Sequence, residues 1–151
     1  MKFLVAIDGS KASQHALAQA IRLAAPGNVR IVLLVVIEPV NNVYFPGMMP
    51  TGEPLVAWQG VPADQMEKMA SDTARSVLSE AEATCREAGV QCETLLQSGS
   101  PRSIICEVAE KEAPDVLVIG SRGLGTVERL MLGSVSDYVI HHAHCPVLIV
   151  R

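Results

Sequence analysis

Glycine and serine residues cluster late in the chain, with the spacing Gly120-x2-Gly123-x9-Gly133-Ser134. Glycine lets backbone N–H groups approach phosphate oxygens closely, and a helix beginning at Ser134 would add unpaired N–H donors and a favourable dipole. The hydroxyl groups of Ser134 and Ser136 could donate to the same oxygens. The cluster therefore predicts a phosphate-binding turn, and a glycine-rich turn without a ligand is the alternative that spacing alone leaves open.

Three other motifs of nucleotide binding or catalysis are absent from the sequence. A Walker A loop requires a lysine after its last glycine, and residues 112–151 contain no lysine. The letters GLGTVE at 123–128 begin like a dinucleotide-binding fingerprint but end in glutamate, and no GxSxG elbow occurs. These absences argue against P-loop enzymes, dinucleotide-binding enzymes and serine hydrolases.

Five apolar runs alternate with helical patterns along the chain. The runs cover residues 3–7, 31–37, 90–96, 116–119 and 146–150, and the run at 90–96 is weaker and partly polar. Continuous apolar runs are typical of strands buried on both faces of a parallel sheet. Helical spacing of apolar residues covers 12–25, 65–88, 101–113 and about 134–142. This alternation predicts one α/β domain over residues 1–151, a doubly wound five-stranded parallel sheet flanked by four helices.

Local signals mark the ends of the second and third helices. Asp64, with Glu67 three residues later, forms a capping-box pattern, and Gly89 is typical of the residue at which a helix stops. Ser100 is expected to cap the third helix, with Pro101 at its first position.

Residues 39–62 interrupt the alternation. They hold five of the nine prolines and three of the five aromatic residues. Loops of this length within one domain are uncommon and often functional. We expect an inserted surface loop here, and its role as a lid over the phosphate-binding turn is a hypothesis.

The composition excludes several classes of protein. The 151 residues are 49% apolar, 19% charged and 3% aromatic, with a net charge of −4. The apolar content excludes a disordered chain, and the scarce aromatic residues and negative charge argue against binding to nucleic acid or anionic membranes. The sequence shows no signal-peptide pattern, no bilayer-spanning stretch and no CxxC pair among its four cysteines. We expect a cytoplasmic protein with reduced thiols and no membrane insertion.

The glycine signature and its flanks resemble the universal stress protein family, in the ATP-binding branch that keeps this signature. The resemblance covers nearly the whole chain: LVAIDGS at 4–10, LLVVIEP at 33–39, DVLVIGSRG at 115–123, GSVSDYVI at 133–140 and CPVLIVR at 145–151. It implies an adenine-nucleotide alpha-hydrolase-like fold with strand order 3-2-1-4-5. It also implies a homodimer that pairs its last strands, through residues 146–151.

On the base and ribose side, the resemblance implies roles for residues at the ends of the first and second strands. Asp8 would contact the ribose hydroxyls or the adenine, and Ala6 and Ile7 would lie beside the base. The backbone of Val36 would read the adenine edge. From the residues alone, Asp8 is equally open to interpretation as a helix-capping acid.

On the phosphate side, the resemblance implies that Gly120, Arg122 and Gly123 surround the ribose and the α-phosphate of ATP. Because phosphates generally bind such ions, Mg²⁺ or Mn²⁺ is expected to accompany them. N–H and hydroxyl groups at the start of the last helix would hold the outer phosphates, on Gly133, Ser134, Val135 and Ser136. From the residues alone, Arg122 could instead be a solvated loop cation.

The function we expect is a nucleotide-dependent stress or signalling module whose occupancy biases an unidentified protein partner, with any slow ATP hydrolysis incidental to it. A protein of the same fold that binds AMP or cyclic AMP is one alternative. An adenine-nucleotide enzyme with weak ATP hydrolysis is another, although the early turn, AIDGSKAS, contains neither HxGH nor SGGxDS. One further cluster lies near the end of the last predicted helix and contains His141, His142, His144 and Cys145. We interpret it as a helix C-terminus, where the dipole favours histidine, rather than as a zinc site.

Overall fold

Five parallel strands form one sheet in the computed structural model, which describes residues 1–24, 27–39, 62–122 and 132–151. The strands are β1 (Lys2–Ala6), β2 (Arg30–Ile37), β3 (Cys92–Ser98), β4 (Val116–Gly120) and β5 (Val147–Val150). Their order is β3-β2-β1-β4-β5, and all neighbouring strands are parallel. The predicted fold class and strand order are confirmed.

Four helices in the described ranges connect or follow these strands. They are α1 (Lys11–Ala24), α2 (Ala63–Glu87), α3 (Pro101–Glu112) and α4 (Ser134–His142). None of them is long and apolar enough to cross a membrane.

Successive side chains of the central strands enter two separate cores, one on each face of the sheet. On one face, Val5 of β1 lies in the same cluster as Leu78 of α2. On the other face, Leu4 lies in a cluster with Ile105 of α3 and Val139 of α4. Because a fully buried Leu or Val side chain contributes about 1.5–3 kcal/mol, these two cores hold the central strands in place.

The carboxyl ends of β1, β2 and β4 lie level with one another. Ala6 is in register with Leu34 of β2 and with Ile119 of β4. After β3 the chain crosses to the other side of β1 to form β4, so the strand order reverses between β1 and β4. In open α/β sheets, this reversal leaves a crevice beyond the strand ends, where ligands bind.

Two local predictions are wrong. The N-cap of α2 is Pro62 and no side chain caps the helix, so Asp64 and Glu67 form no capping box. Asp64 lies within the first turn instead, where a carboxylate interacts favourably with the helix dipole. The third strand begins at Cys92 rather than at Val90, because the Val90 N–H closes the turn after α2 by donating to the Cys85 carbonyl at 2.9 Å.

Other helix-end predictions are confirmed. Gly89 follows α2 with a φ of +70°, a left-handed conformation that favours glycine. Ser100 occupies the N-cap position of α3 and Pro101 is its first residue, as predicted, although the Ser100 side chain makes no capping hydrogen bond. Apart from its two terminal prolines, the predicted insertion at 39–62 lies outside the described residues, so its role as a lid stays a prediction.

Candidate functional site

A cavity of about 600 Å³ lies at the carboxyl ends of β1, β2 and β4. The N-terminal parts of α1, α3 and α4 also line it, as does the middle of α2. The cavity therefore occupies the position where the strand order reverses. Its volume is within the range of small-molecule sites.

The turn after β1 is built by hydrogen bonds of Asp8 and Ser10. The Asp8 Oδ1 accepts a hydrogen bond from the Ser10 N–H at 3.0 Å, and the intervening Gly9 has a φ of +82°. The Ser10 Oγ then accepts from the Ser13 N–H at 3.2 Å and so caps α1. Asp8 thus orders the turn before the helix, while Ser10 is the capping residue. Asp8 is exposed at the cavity, and a carboxylate that accepts one hydrogen bond keeps capacity for others.

The residue after β4 is tied to the start of α4. The Ser121 carbonyl accepts hydrogen bonds from the Gly133 N–H at 2.8 Å and from the Ser136 Oγ at 3.0 Å. The Ser136 Oγ also lies 3.0 Å from the Gly133 carbonyl. These bonds differ from the sequence-based expectation, because the Gly133 N–H and the Ser136 hydroxyl donate within the protein rather than toward a ligand.

The first turn of α4 opens toward the cavity. Its helical hydrogen bonds begin with the Asp137 N–H, which donates to the Gly133 carbonyl at 2.9 Å, and no side chain caps the helix. The preceding N–H groups, on Ser134, Val135 and Ser136, have no intrahelical acceptor, as in any first turn. All three residues line the cavity, and Ser134 is exposed. This turn supplies N–H donors, one serine hydroxyl and the positive end of the helix dipole.

Gly120 has a packing role that its place in the signature does not reveal. A Cβ built on it would lie 2.7 Å from the backbone carbon of Ala12 and 2.8 Å from the Ala12 carbonyl oxygen. Only glycine lets the end of β4 approach α1 this closely. Gly133 is different, since a Cβ there would meet its nearest neighbours, the Arg122 Cα and the Ser121 carbonyl oxygen, at 3.4 Å.

One wall of the cavity was not identified from the sequence. It consists of small and apolar side chains of α2, together with two residues from the first two turns of α3: Ala70, Thr73, Ala74, Val77, Pro101 and Ile105. The four α2 residues recur at helical spacing, which signals a buried face but does not say what the face contacts. Only the packing of α2 across β2 brings them to the cavity.

The structure brings ten of the eleven predicted site residues to this one cavity. Those ten are Ala6, Ile7, Asp8, Val36, Gly120, Arg122, Gly133, Ser134, Val135 and Ser136. Gly123 lies outside the described residues. Arg122 is half-buried and places a cation at the cavity, where Asp8 and Glu38 supply carboxylates. What each residue binds stays a prediction.

The histidines at the end of α4 have local partners. The His142 ring stacks on Tyr138 with centroids 3.8 Å apart, and its Nδ1 lies 2.8 Å from the Tyr138 carbonyl. The His141 Nε2 lies 3.9 Å from Asp137. Across the described ranges, no three His, Cys, Asp or Glu side chains are grouped as ligands for a metal ion.

The four cysteines lie outside the cavity lining, and burial raises the pKa of each thiol. The effect is largest for Cys85, a fully buried residue of α2. Desolvation, followed by the proximity of Cys92, raises the pKa of Cys85 to about 12. A thiol with this pKa is protonated and unreactive at neutral pH.

The sequence model of the universal stress protein family matches residues 1–151. The chain belongs to this family. The resemblance seen in the sequence is thereby confirmed at the level of the family. The universal stress protein YxiE of Bacillus subtilis is 34% identical over 152 residues, which cover 99% of this chain and 98% of that protein.

Solved structures of universal stress proteins share the fold. One, from Arabidopsis thaliana and solved with AMP bound, is 25% identical with a TM-score of 0.69, covering 99% of this chain and 90% of that one. Another, solved in complex with cAMP, is also 25% identical with a TM-score of 0.69, covering 100% of this chain and 96% of that one. Each of these two universal stress proteins was therefore solved with an adenine nucleotide.

Proposed function

We propose that this protein binds an adenine nucleotide, with ATP preferred, in the cavity at the carboxyl ends of the strands. The observation that carries the proposal is the first turn of α4, which presents N–H groups and the Ser134 hydroxyl to a cavity of about 600 Å³. Charged phosphates suit that turn because the helix dipole and the unpaired N–H groups both favour negative charge.

The opposite side of the cavity suits an adenine base. Ala6, Ile7 and Val36 come from the strand ends, and the α2 residues Ala74 and Val77 add an apolar wall. Transfer of a flat aromatic base from water to such a surface is favourable by about 25 cal/mol per Å² of apolar area buried. The Val36 backbone would then form the hydrogen bonds with the edge of the adenine ring.

Asp8 and Arg122 lie between these two sides in the proposed arrangement. The Asp8 carboxylate would accept hydrogen bonds from the ribose hydroxyls, while its Oδ1 continues to order the turn before α1. Arg122, with Gly120 and Gly123, would lie along the ribose and the α-phosphate. Mg²⁺ or Mn²⁺ would accompany the triphosphate, since phosphates commonly bind such ions together with one or two carboxylates.

AMP and cyclic AMP form the second candidate ligand class, because universal stress proteins of the same fold were solved with them. The two classes differ in how many phosphates they bring to the first turn of α4. We infer a stress or signalling module in which nucleotide occupancy biases a protein partner, rather than an enzyme. The proposed location is the cytoplasm.

A homodimer is the proposed assembly, through residues 146–151. β5 has β4 on one side and stands at the edge of the described sheet, so its other edge is available to a second copy. Its side chains are half-buried in one copy of the chain. Sedimentation equilibrium would give twice the chain mass, and a monomer would overturn the proposed dimer.

The test of ligand class begins with the purified protein. Denaturation followed by mass spectrometry of the released small molecules would identify a co-purified nucleotide, and ATP or ADP is the expected result. Calorimetric titration with ATP, ADP, AMP and cyclic AMP, each with Mg²⁺, would then rank the affinities. Equal affinities for ATP and AMP would contradict the assignment of outer phosphates to α4.

Failure to bind would also be visible without calorimetry. A nucleotide present at 100 times its Kd raises the free energy of unfolding by about 2.7 kcal/mol, which a thermal melt resolves easily. If none of the four nucleotides at millimolar concentration raises the melting temperature, the proposed function is wrong and the glycine signature is a structural turn.

A further inference from the structure

The Ser121 carbonyl joins two segments that are far apart in sequence. It accepts the Gly133 N–H at 2.8 Å and the Ser136 Oγ at 3.0 Å, across 12 and 15 positions. Ser121 is itself anchored, since its N–H donates to the Val150 carbonyl of β5 at 2.7 Å. The first turn of α4 is thus connected through Ser121 to the edge of the sheet.

The Ser136 hydroxyl is shielded from water. Ser136 is 2% exposed and Ser121 is 9% exposed. Competition from solvent is weak at such a position, so a hydrogen bond there is electrostatically stronger than one at the surface. Two residues earlier, Ser134 has the same hydroxyl group but is exposed. The two serines therefore have different surroundings despite their closeness in the chain.

We propose that Ser136 is a positioning residue for phosphate binding rather than a phosphate ligand through its hydroxyl. Its hydroxyl holds the first turn of α4 against the end of β4, so that the N–H groups of Ser134 and Val135 are presented to the phosphates in one fixed orientation. This role rests on the proposed function, because it requires the α4 turn to be where phosphates bind.

A purely local role does not account for these contacts. Serine near a helix start often bonds back to the carbonyl three or four residues earlier, and the contact with the Gly133 carbonyl at 3.0 Å is of that kind. The contact with Ser121 is not, because it spans 15 positions and reaches another element of the fold. Together with the bond from the Gly133 N–H, this contact links the α4 turn to the sheet.

The variant Ser136→Ala is expected to fold. Both carbonyls that the hydroxyl contacts keep a backbone donor in its absence. Ser121 retains the Gly133 N–H, and Gly133 retains the Asp137 N–H at 2.9 Å. No buried acceptor is left unpaired, so the large penalty of an unsatisfied carbonyl does not arise.

The experiment compares ATP with adenosine, which lacks phosphates, on the full chain. In Ser136→Ala we expect the affinity for ATP to fall about fivefold, the value of one neutral hydrogen bond, while the affinity for adenosine stays within about twofold. Ser136→Thr should restore ATP binding, because a helical threonine can direct its hydroxyl to the same carbonyls. Thr84→Ala is the matched control, since it removes a helical back-bond of 2.9 Å in α2, outside the cavity lining.

Amide hydrogen exchange of the ligand-free protein supplies an independent reading. The Gly133 amide should exchange several times faster in Ser136→Ala than in the wild type or in Ser136→Thr, because the turn it belongs to is held less firmly. Unchanged exchange overturns the positioning role, whatever the nucleotide data show.

The binding outcomes are equally decisive. An unchanged ATP affinity in Ser136→Ala, or an equal loss for ATP and adenosine, overturns the proposal, the latter in favour of a general structural role. If the wild type binds adenosine as tightly as ATP, it is the phosphate part of the proposed function that fails. In that case the positioning role fails with it, even if hydrogen exchange shows that the hydroxyl stabilises the turn.

Discussion

The two ends of the sheet differ in how their polar groups are used. At the amino end, the protein supplies its own partners. The Lys2 N–H donates to the Asp115 carboxylate at 2.6 Å, and the Lys2 Nζ forms an ion pair with Glu112 at 3.1 Å. The N-terminal ammonium donates to the Asn28 carbonyl at 3.1 Å.

At the carboxyl end, strands and helix starts surround a cavity instead. Asp8 is exposed there, and α4 begins without a side-chain cap. The Asp8 carboxylate and the first N–H groups of α4 are therefore available to a ligand. The comparison suggests that substitutions at the amino end should change stability, while substitutions at the carboxyl end should change binding.

Gly120 lies at the carboxyl end, yet its substitution should change stability rather than only binding. We expect the largest loss of stability there. Gly120→Ala should lower the free energy of unfolding by about 3 kcal/mol, because its Cβ would overlap the Ala12 backbone at 2.7 Å and neither backbone can move freely. Urea denaturation measures the change. The control is Gly27→Ala, whose Cβ would meet nothing within 4 Å. Equal stability of the two variants would show that β4 and α1 are not closely packed here.

Substitution of Asp8, at the carboxyl end of the sheet, should change nucleotide binding rather than stability. Asp8→Ala is expected to weaken ATP binding by about 1–3 kcal/mol, the value of a hydrogen bond to a charged group, as calorimetry would show. Asp8→Asn keeps an Oδ1 for the Ser10 N–H and so separates the turn from the ligand contact. Asp64→Ala, an exposed acid outside the cavity lining, is the control. If ATP binding is unchanged in both Asp8 variants, Asp8 only orders the turn.

Cys85 represents the amino end, where α2 finishes beside β3. Its thiol has a pKa of about 12 when folded and 9.0 as the ordinary value, so the folded state keeps a proton that the unfolded state loses. The protonated thiol makes its full contribution to the free energy of unfolding below pH 9. That contribution is lost as the pH rises toward 12, and the free energy of unfolding falls by up to about 1.4 kcal/mol per pH unit. Denaturation curves at several alkaline pH values would show this slope.

The matched variant for that titration is Cys85→Ala. It should be less stable at pH 8, since a buried sulfur is removed, but its stability should fall less steeply above pH 9. ATP affinity at pH 8 should be unchanged. An identical alkaline slope in both proteins would assign the titration to other groups.

Gly133 should show the smallest effect on stability and a moderate one on binding. Gly133→Ala is expected to cost at most about 1 kcal/mol of unfolding free energy, because its Cβ makes ordinary contacts and alanine is only a poorer N-cap. ATP affinity should fall about fivefold, because the methyl group occupies space at the proposed phosphate end of the cavity. A loss of stability as large as that of Gly120→Ala would remove the distinction between the two glycines.

The main elements of the fold were predictable because the apolar pattern of each element lies within its own stretch of sequence. The run IVLLVVI became β2, and the helical spacing of apolar residues became α1 and α4 with nearly the predicted bounds. The start of β3 was not predictable from Val90, although valine favours strands. Pairing with β2 runs from Ile31 with Cys92 to Ile37 with Ser98, so the neighbouring strand decides where β3 lies.

The position of the cavity followed from the glycine signature, but the contacts of its lining residues did not. Gly120 and Gly133 are chemically identical, yet only Gly120 faces a helix backbone that leaves no room for a methyl group. Ser134 and Ser136 are likewise identical in type, and burial separates them. The apolar wall from α2 had no sequence signal of its own beyond helical spacing.

By itself, the sequence determined the alternation of strands and helices, the family and the residues that line the cavity at the carboxyl ends of the strands. These properties depend on hydrophobic periodicity and on the spacing of glycines, and both patterns can be recognised within short stretches of the sequence. Only the tertiary structure decided which signature atoms donate within the protein and which face the cavity. That choice depends on distances between segments far apart in the chain, such as the 3.0 Å from Ser136 to Ser121, which no local pattern contains.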